Sequence, residues 1–64
     1  MGTRKYKIYY KMKNHLGEWE IQNFVEIETT TLRKARMIVK EHLTSMFIGQ
    51  GEWKLSEYHE EVVT

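Results

Sequence analysis

Polar and apolar residues alternate without a break from Tyr6 to Lys13, with Tyr6, Ile8, Tyr10 and Met12 on one face and Lys7, Tyr9, Lys11 and Lys13 on the other. That period is the period of a half-buried strand. Asn14-His15-Leu16-Gly17 follows, with the Asn and Gly that tolerate positive φ, and a new alternation opens at Trp19 with Ile21, Val25 and Ile27 inward. The two runs predict a β-hairpin closed by a four-residue loop, Asn14 to Gly17.

Side-chain complementarity suggests a register. Lys13 beside Glu18 sets Lys11 opposite Glu20, Tyr9 opposite Gln22, Lys7 opposite Phe24 and Lys5 opposite Glu26. On the other face it sets Met12 against Trp19, Tyr10 against Ile21 and Tyr6 against Val25. Asn23 would then point inward opposite Ile8, which predicts a β-bulge near Asn23-Phe24 or an Asn hydrogen-bonded at the end of the sheet.

After Thr29-Thr30-Thr31 the period changes. Leu32, Ala35, Val39, Leu43 and Met46 recur at helical spacing, flanked by Ile38 and His42, with Thr31 as the expected N-cap. The outer side carries Arg33, Lys34, Met37, Lys40, Glu41 and Thr44, with Arg36 and Phe47 at one margin. The helix is expected to end between Phe47 and Gly49, where glycine can take the left-handed cap conformation. A last strand is expected from Glu52 to His59, with Trp53 and Leu55 inward and Lys54, Ser56 and Tyr58 outward. A right-handed crossover through the helix puts this strand beside the first. The predicted fold is α+β, ββαβ, an antiparallel sheet of order 2-1-3 with one helix packed on one face. It forms a single domain over 1–64, with a core from about residue 5 to 58 and a tail, 60–64, expected to fray.

Composition narrows the function. Without cysteine there is no disulfide and no Cys-based zinc site. A core this small would gain stability from a partner or from self-association. No apolar run approaches the ~20 residues of a membrane span, and no segment reads as a signal peptide, so a cytoplasmic protein without a membrane partner is expected. Ten Lys plus Arg against nine Asp plus Glu leave a net charge of +1, so only the arrangement of charge can point to a partner.

That arrangement singles out the sheet face away from the helix. Lys7, Tyr9 and Lys11 lie in its middle within the run Lys5 to Lys13, Phe24 lies on one side, and Lys54 and Tyr58 lie on the other. Lysines interleaved with aromatics suit a protein interface, and they also suit nucleic acid, whose bases stack and whose phosphates pair with lysine. Glu18, Glu20, Glu26 and Glu28 are expected on the same face and would lower its potential. A second candidate is the helix ridge of Arg33, Arg36 and Lys40 around Met37, suited to an acidic groove or a phosphate backbone. The edge strands offer a third route, by accepting a partner's strand.

Chemistry of other kinds has no support in the pattern. His15, His42 and His59 are scattered, with no ligand spacing, and Ser45 and Ser56 have no histidine at a recognisable interval. Gly49-Gln50-Gly51 lies between helix and strand, the reverse of a phosphate-cradling loop, and reads as a cap and turn. The expectation is a protein that is not an enzyme and uses no cofactor or metal.

The run Glu28-Thr29-Thr30-Thr31-Leu32-Arg33-Lys34-Ala35, continued by the helix and by Gly51-Glu52-Trp53-Lys54-Leu55, resembles the strand-Thr-Leu-x-x-Ala-helix-Gly-strand pattern of small phage-encoded ββαβ proteins, one of which inhibits the host RNA polymerase. The resemblance covers roughly residues 26 to 57 and carries over no functional residue. It implies a phage or mobile-element accessory protein that acts by binding. The functional expectation is thus a small regulator that binds a host or cellular protein. The alternatives are a nucleic-acid-binding module on the open sheet face and a homodimeric structural module.

Overall fold

The alternating segments and the helical stripe form the elements expected of them. The computed structural model describes residues 2–47 and 51–62. It contains β1 (Arg4–Lys13), β2 (Trp19–Thr29), α1 (Leu32–Met46) and β3 (Trp53–Val62). The strands make one antiparallel sheet of order β2-β1-β3. The fold is α+β, ββαβ, with the helix on one face and the other face open.

The core follows from the two periodicities. Tyr6, Ile8 and Tyr10 of the central strand meet Ala35, Val39 and Leu43 of α1, and Ile8, Val39 and Leu43 are wholly buried. Burying an aliphatic side chain of this size contributes about 1.5–3 kcal/mol. Ala35 has almost no side chain, which lets the first turns of the helix sit close to the sheet. Val25, Ile27, Leu32, Trp53 and Leu55 close the margins. Thr31 caps the helix as expected, its hydroxyl accepting from the Lys34 amide at 3.2 Å.

The last helical turn departs from the predicted stripe. Met46, expected inward, is 47% exposed, and Phe47, expected at the outer margin, packs its ring 5.7 Å from that of Tyr10. Phe47 is the C-cap, at φ −108° and ψ 22°, so the chain leaving the helix swings the larger ring beneath it and Met46 overhangs. The expected glycine cap at Gly49 lies outside the described residues, as does Gln50; Gly51 takes φ +92° just before β3.

The hairpin register differs from the expected one because the turn is shorter. The Asn14 amide donates to the Glu18 carbonyl at 2.9 Å, and the Gly17 amide donates to the Asn14 carbonyl at 3.0 Å. The Asn14 side chain also accepts from the amides of Leu16 and Glu18. Asn14 and Glu18 therefore form the last pair, with His15, Leu16 and Gly17 between them and Gly17 at φ +80°. Lys13 faces Trp19 rather than Glu18, Met12 faces Glu20, and Lys11 faces Ile21.

A bulge then shifts the register again. Between Ile21 and Asn23 the partners pass from Lys11 to Tyr10, leaving Gln22 unpaired, one position before the expected Asn23-Phe24. Beyond it Tyr10 faces Asn23, Tyr9 faces Phe24, Ile8 faces Val25, Lys7 faces Glu26, Tyr6 faces Ile27 and Lys5 faces Glu28. A one-residue slip exchanges faces. Val25 and Ile27 point to the helix as expected, whereas Trp19 and Ile21, expected inward, share the open face with Lys13 and Lys11.

β3 is longer and less regular than expected. It continues to Val62 opposite Lys5, with Arg4 paired to Glu61 at 2.8 Å, so residues 60–62 are strand; residues 63 and 64 lie outside the described residues. Between Leu55, opposite Tyr10, and His59, opposite Ile8, the segment Ser56-Glu57-Tyr58 bulges against Tyr9. Ser56, expected outward, is turned in and only 2% exposed. Its carbonyl accepts from Arg36 Nη1 at 3.0 Å and its hydroxyl accepts from the Tyr58 amide at 3.1 Å. Folding the bulge around Ser56 keeps Tyr58 on the open face.

Candidate functional site on the open sheet face

The pleat of β1 sends Lys5, Lys7, Tyr9, Lys11 and Lys13 to the side away from α1, where among the described residues no further element packs over them and their own neighbours leave all but Lys13 half-buried. Tyr9 is the centre. Its ring lies 5.4 Å from that of Phe24 on β2 and 5.1 Å from that of Tyr58 on β3, tilted by 53° and 50°. These are favourable edge-to-face-like geometries. An aromatic row thus crosses all strands of the sheet, and Phe24 and Tyr58 remain exposed.

Lysines ride on the aromatics. Lys7 Nζ stands 4.9 Å from the Phe24 ring centre. Trp19, on the open face because of the bulge, has Lys54 Nζ at 4.4 Å and Lys13 Nζ at 5.5 Å. Ile21, 53% exposed, stands beside this corner. Alternation alone would put Trp19 and Ile21 in the core. The signal for the other placement is the polar pair Gln22-Asn23, which breaks the alternation at the bulge.

Charge divides the face into unequal ends. Toward the start of β1, Lys5 and Lys7 lie opposite Glu28 and Glu26, and Lys7 also lies opposite Glu60. Toward the hairpin, Lys13 and Lys54 flank Trp19, and Lys11 lies between Ile21 and Lys54 in the ladders. Glu20, expected here, faces Met12 on the helix side and accepts from the Asn14 side-chain amide at 3.0 Å. Glu18 closes the hairpin opposite Asn14. Lys13 pairs with Glu52 at 2.9 Å, and among the described residues Lys11 and Lys54 form no ion pair. Tyr58 donates its hydroxyl to Glu60 Oε1 at 2.7 Å, which raises the phenol above its ordinary value of 10.0.

The structure therefore brings Lys7, Tyr9, Lys11, Phe24, Lys54 and Tyr58 together on one face. The helix ridge is less united. Arg33, Met37 and Lys40 are exposed, whereas Arg36 is half-buried and bent toward Ser56. Arg36 and Lys40 line a groove beside β3 rather than forming one ridge with Arg33. Among the described residues no group of His, Cys, Asp or Glu is placed to hold a metal ion, and no helix is long and apolar enough to cross a membrane. What this arrangement offers is a flat surface of aromatic rings and ammonium groups that can desolvate against an apolar or anionic surface. No protein family, curated protein or solved structure matches the chain, so similarity assigns this face no role.

Proposed function

We propose that the chain is a small non-enzymatic regulator that acts by docking its open sheet face on a host or cellular protein. The observation that supports this reading most is the uncovered aromatic row Phe24-Tyr9-Tyr58. Aromatic residues dominate the energetics of protein interfaces when desolvated at their centre, and lysine stems extend the apolar area around them. The resemblance to small phage-encoded binding proteins favours the same class. The test is capture from a source-cell lysate treated with nuclease, comparing the wild type with the double variant Tyr9→Ala, Phe24→Ala. A stoichiometric protein lost by the variant, with its circular dichroism unchanged, supports the proposal; capture that survives the substitutions removes the sheet face from it.

A second reading is supported by the Trp19 corner, where Lys13 and Lys54 flank one ring beside Lys11. An aromatic ring flanked by two ammonium groups suits a base with its phosphates. Binding of a single-stranded oligonucleotide should then weaken steeply with salt. Affinity indifferent to salt, or no binding below about 100 µM, ends that reading.

A further inference from the structure

We propose that the outer edge of β3 takes an acidic, extended peptide segment of a partner as a fourth strand, whose helix-side side chains reach into the groove between β3 and α1. The helix lies over β1 and β2 and makes few contacts with β3, which leaves the helix-side face of β3 partly uncovered. The result is a groove of about 430 Å³ lined by Arg36, Lys40 and Thr44 from α1 and by Trp53, Lys54 and Leu55 from β3.

The backbone supplies the docking groups. Lys13 donates its amide to the Glu52 carbonyl at 3.4 Å, so Glu52 bonds toward β1. Alternation along an antiparallel ladder then turns Lys54 toward Lys11 and leaves the N–H and C=O of Trp53 and Leu55 directed outward. Past Leu55 the edge closes: Ser56 is folded in, and its carbonyl is taken by Arg36. The accepting stretch is therefore short, Trp53 to Leu55.

Charge selects the occupant. Among the described residues no acidic side chain lines the groove, whereas Arg36 and Lys40 stand on its helix wall. Arg36 spends one of its donors on Ser56 and keeps others for a ligand. The ammonium of Lys54 lies on the opposite face, at Trp19, so only the part of that residue nearer the backbone faces the groove. An added strand would alternate side chains between the helix wall and the open face, and those facing Arg36 and Lys40 would best be Asp or Glu. The site differs from the aromatic row and stands or falls independently of what that row binds.

The probe is a fluorescein-labelled peptide of alternating Val and Glu, followed by fluorescence anisotropy and by amide shifts of the protein. Expected are shifts centred on Trp53 to Leu55, a loss of about tenfold with Lys40→Glu, and loss of binding when alternate peptide nitrogens are methylated. Because Lys40 is exposed, its substitution leaves the fold intact. Equal binding of a Val-Lys peptide, indifference to N-methylation, shifts confined to Trp19 and Phe24, or no binding up to about 1 mM would each overturn the proposal. So would concentration-dependent dimerisation in sedimentation that protects the Trp53 and Leu55 amides, which would give the edge to a second copy of the chain.

Discussion

Lys54 on β3 and Trp19 on β2 meet across the full width of the sheet, with the ammonium 4.4 Å from the indole centre and β1 running beneath them. The contact exists because the bulge at Gln22 turns Trp19 away from the helix. It ties both edge strands together over the central one and makes the hairpin end of the open face cationic and aromatic at once.

Trp19 is therefore half-buried on the open face rather than packed in the core. A core Trp→Ala substitution would cost about 3–5 kcal/mol, whereas Trp19→Ala should cost about 1–3 kcal/mol, from the apolar area the half-buried ring still hides and the lost cation–π contacts. A double-mutant cycle with Lys54→Ala, read by urea unfolding, should give a coupling of about 0.5–1 kcal/mol. A loss of the core size, or zero coupling, would contradict the placement of the ring.

The sheet–helix core carries the fold. Leu43→Ala, at a wholly buried position, should cost about 2–5 kcal/mol. For a chain of 64 residues that is much of the total stability, so a broadened or absent cooperative transition is expected. Met46→Ala, at an exposed position on the same helical face, should change stability by less than about 0.5 kcal/mol. Equal costs would mean that the last turn packs as the helical periodicity suggests.

Gly17 sets the hairpin register through its backbone. Among the described residues no atom lies within 4 Å of where an alanine Cβ would stand, so Gly17→Ala meets no steric neighbour and its cost is the φ of +80°. That cost should be about 1 kcal/mol by thermal or urea unfolding, and smaller for Gly17→Asn. An unchanged midpoint for the alanine variant would show that the turn can relax to another conformation.

Tyr58 should titrate above the ordinary phenol value of 10.0, because its hydroxyl donates to the Glu60 carboxylate, whose charge also opposes a phenolate. The folded state thus holds this proton more tightly than the unfolded chain. The linked stability is fully present below the unfolded value and is lost as pH rises through the folded one. Ring chemical shifts of Tyr58 should follow this titration, and Glu60→Gln should lower its midpoint. No change in that variant would mean that the hydrogen bond is not formed in solution.

The sequence by itself determined the element types, the strand order, the N-cap at Thr31 and the central core, because each follows from local periodicity and capping chemistry. Tyr6, Ile8 and Tyr10 could face only a hydrophobic layer, and Ala35, Val39 and Leu43 supplied it. Much of the candidate surface was legible for the same reason: once one face of β1 is buried, Lys7, Tyr9 and Lys11 must lie on the other. Register was decided only in three dimensions. Lysines opposite glutamates allowed more than one plausible pairing, and the choice fell to the Asn14 side chain and Gly17 in the turn and to the unpaired Gln22. Those few backbone hydrogen bonds moved Trp19 and Ile21 from the expected core to the open face. Likewise, the inward turn of Ser56 and the groove beside it depend on Arg36 reaching a strand 20 residues away, a long-range contact that no local pattern encodes.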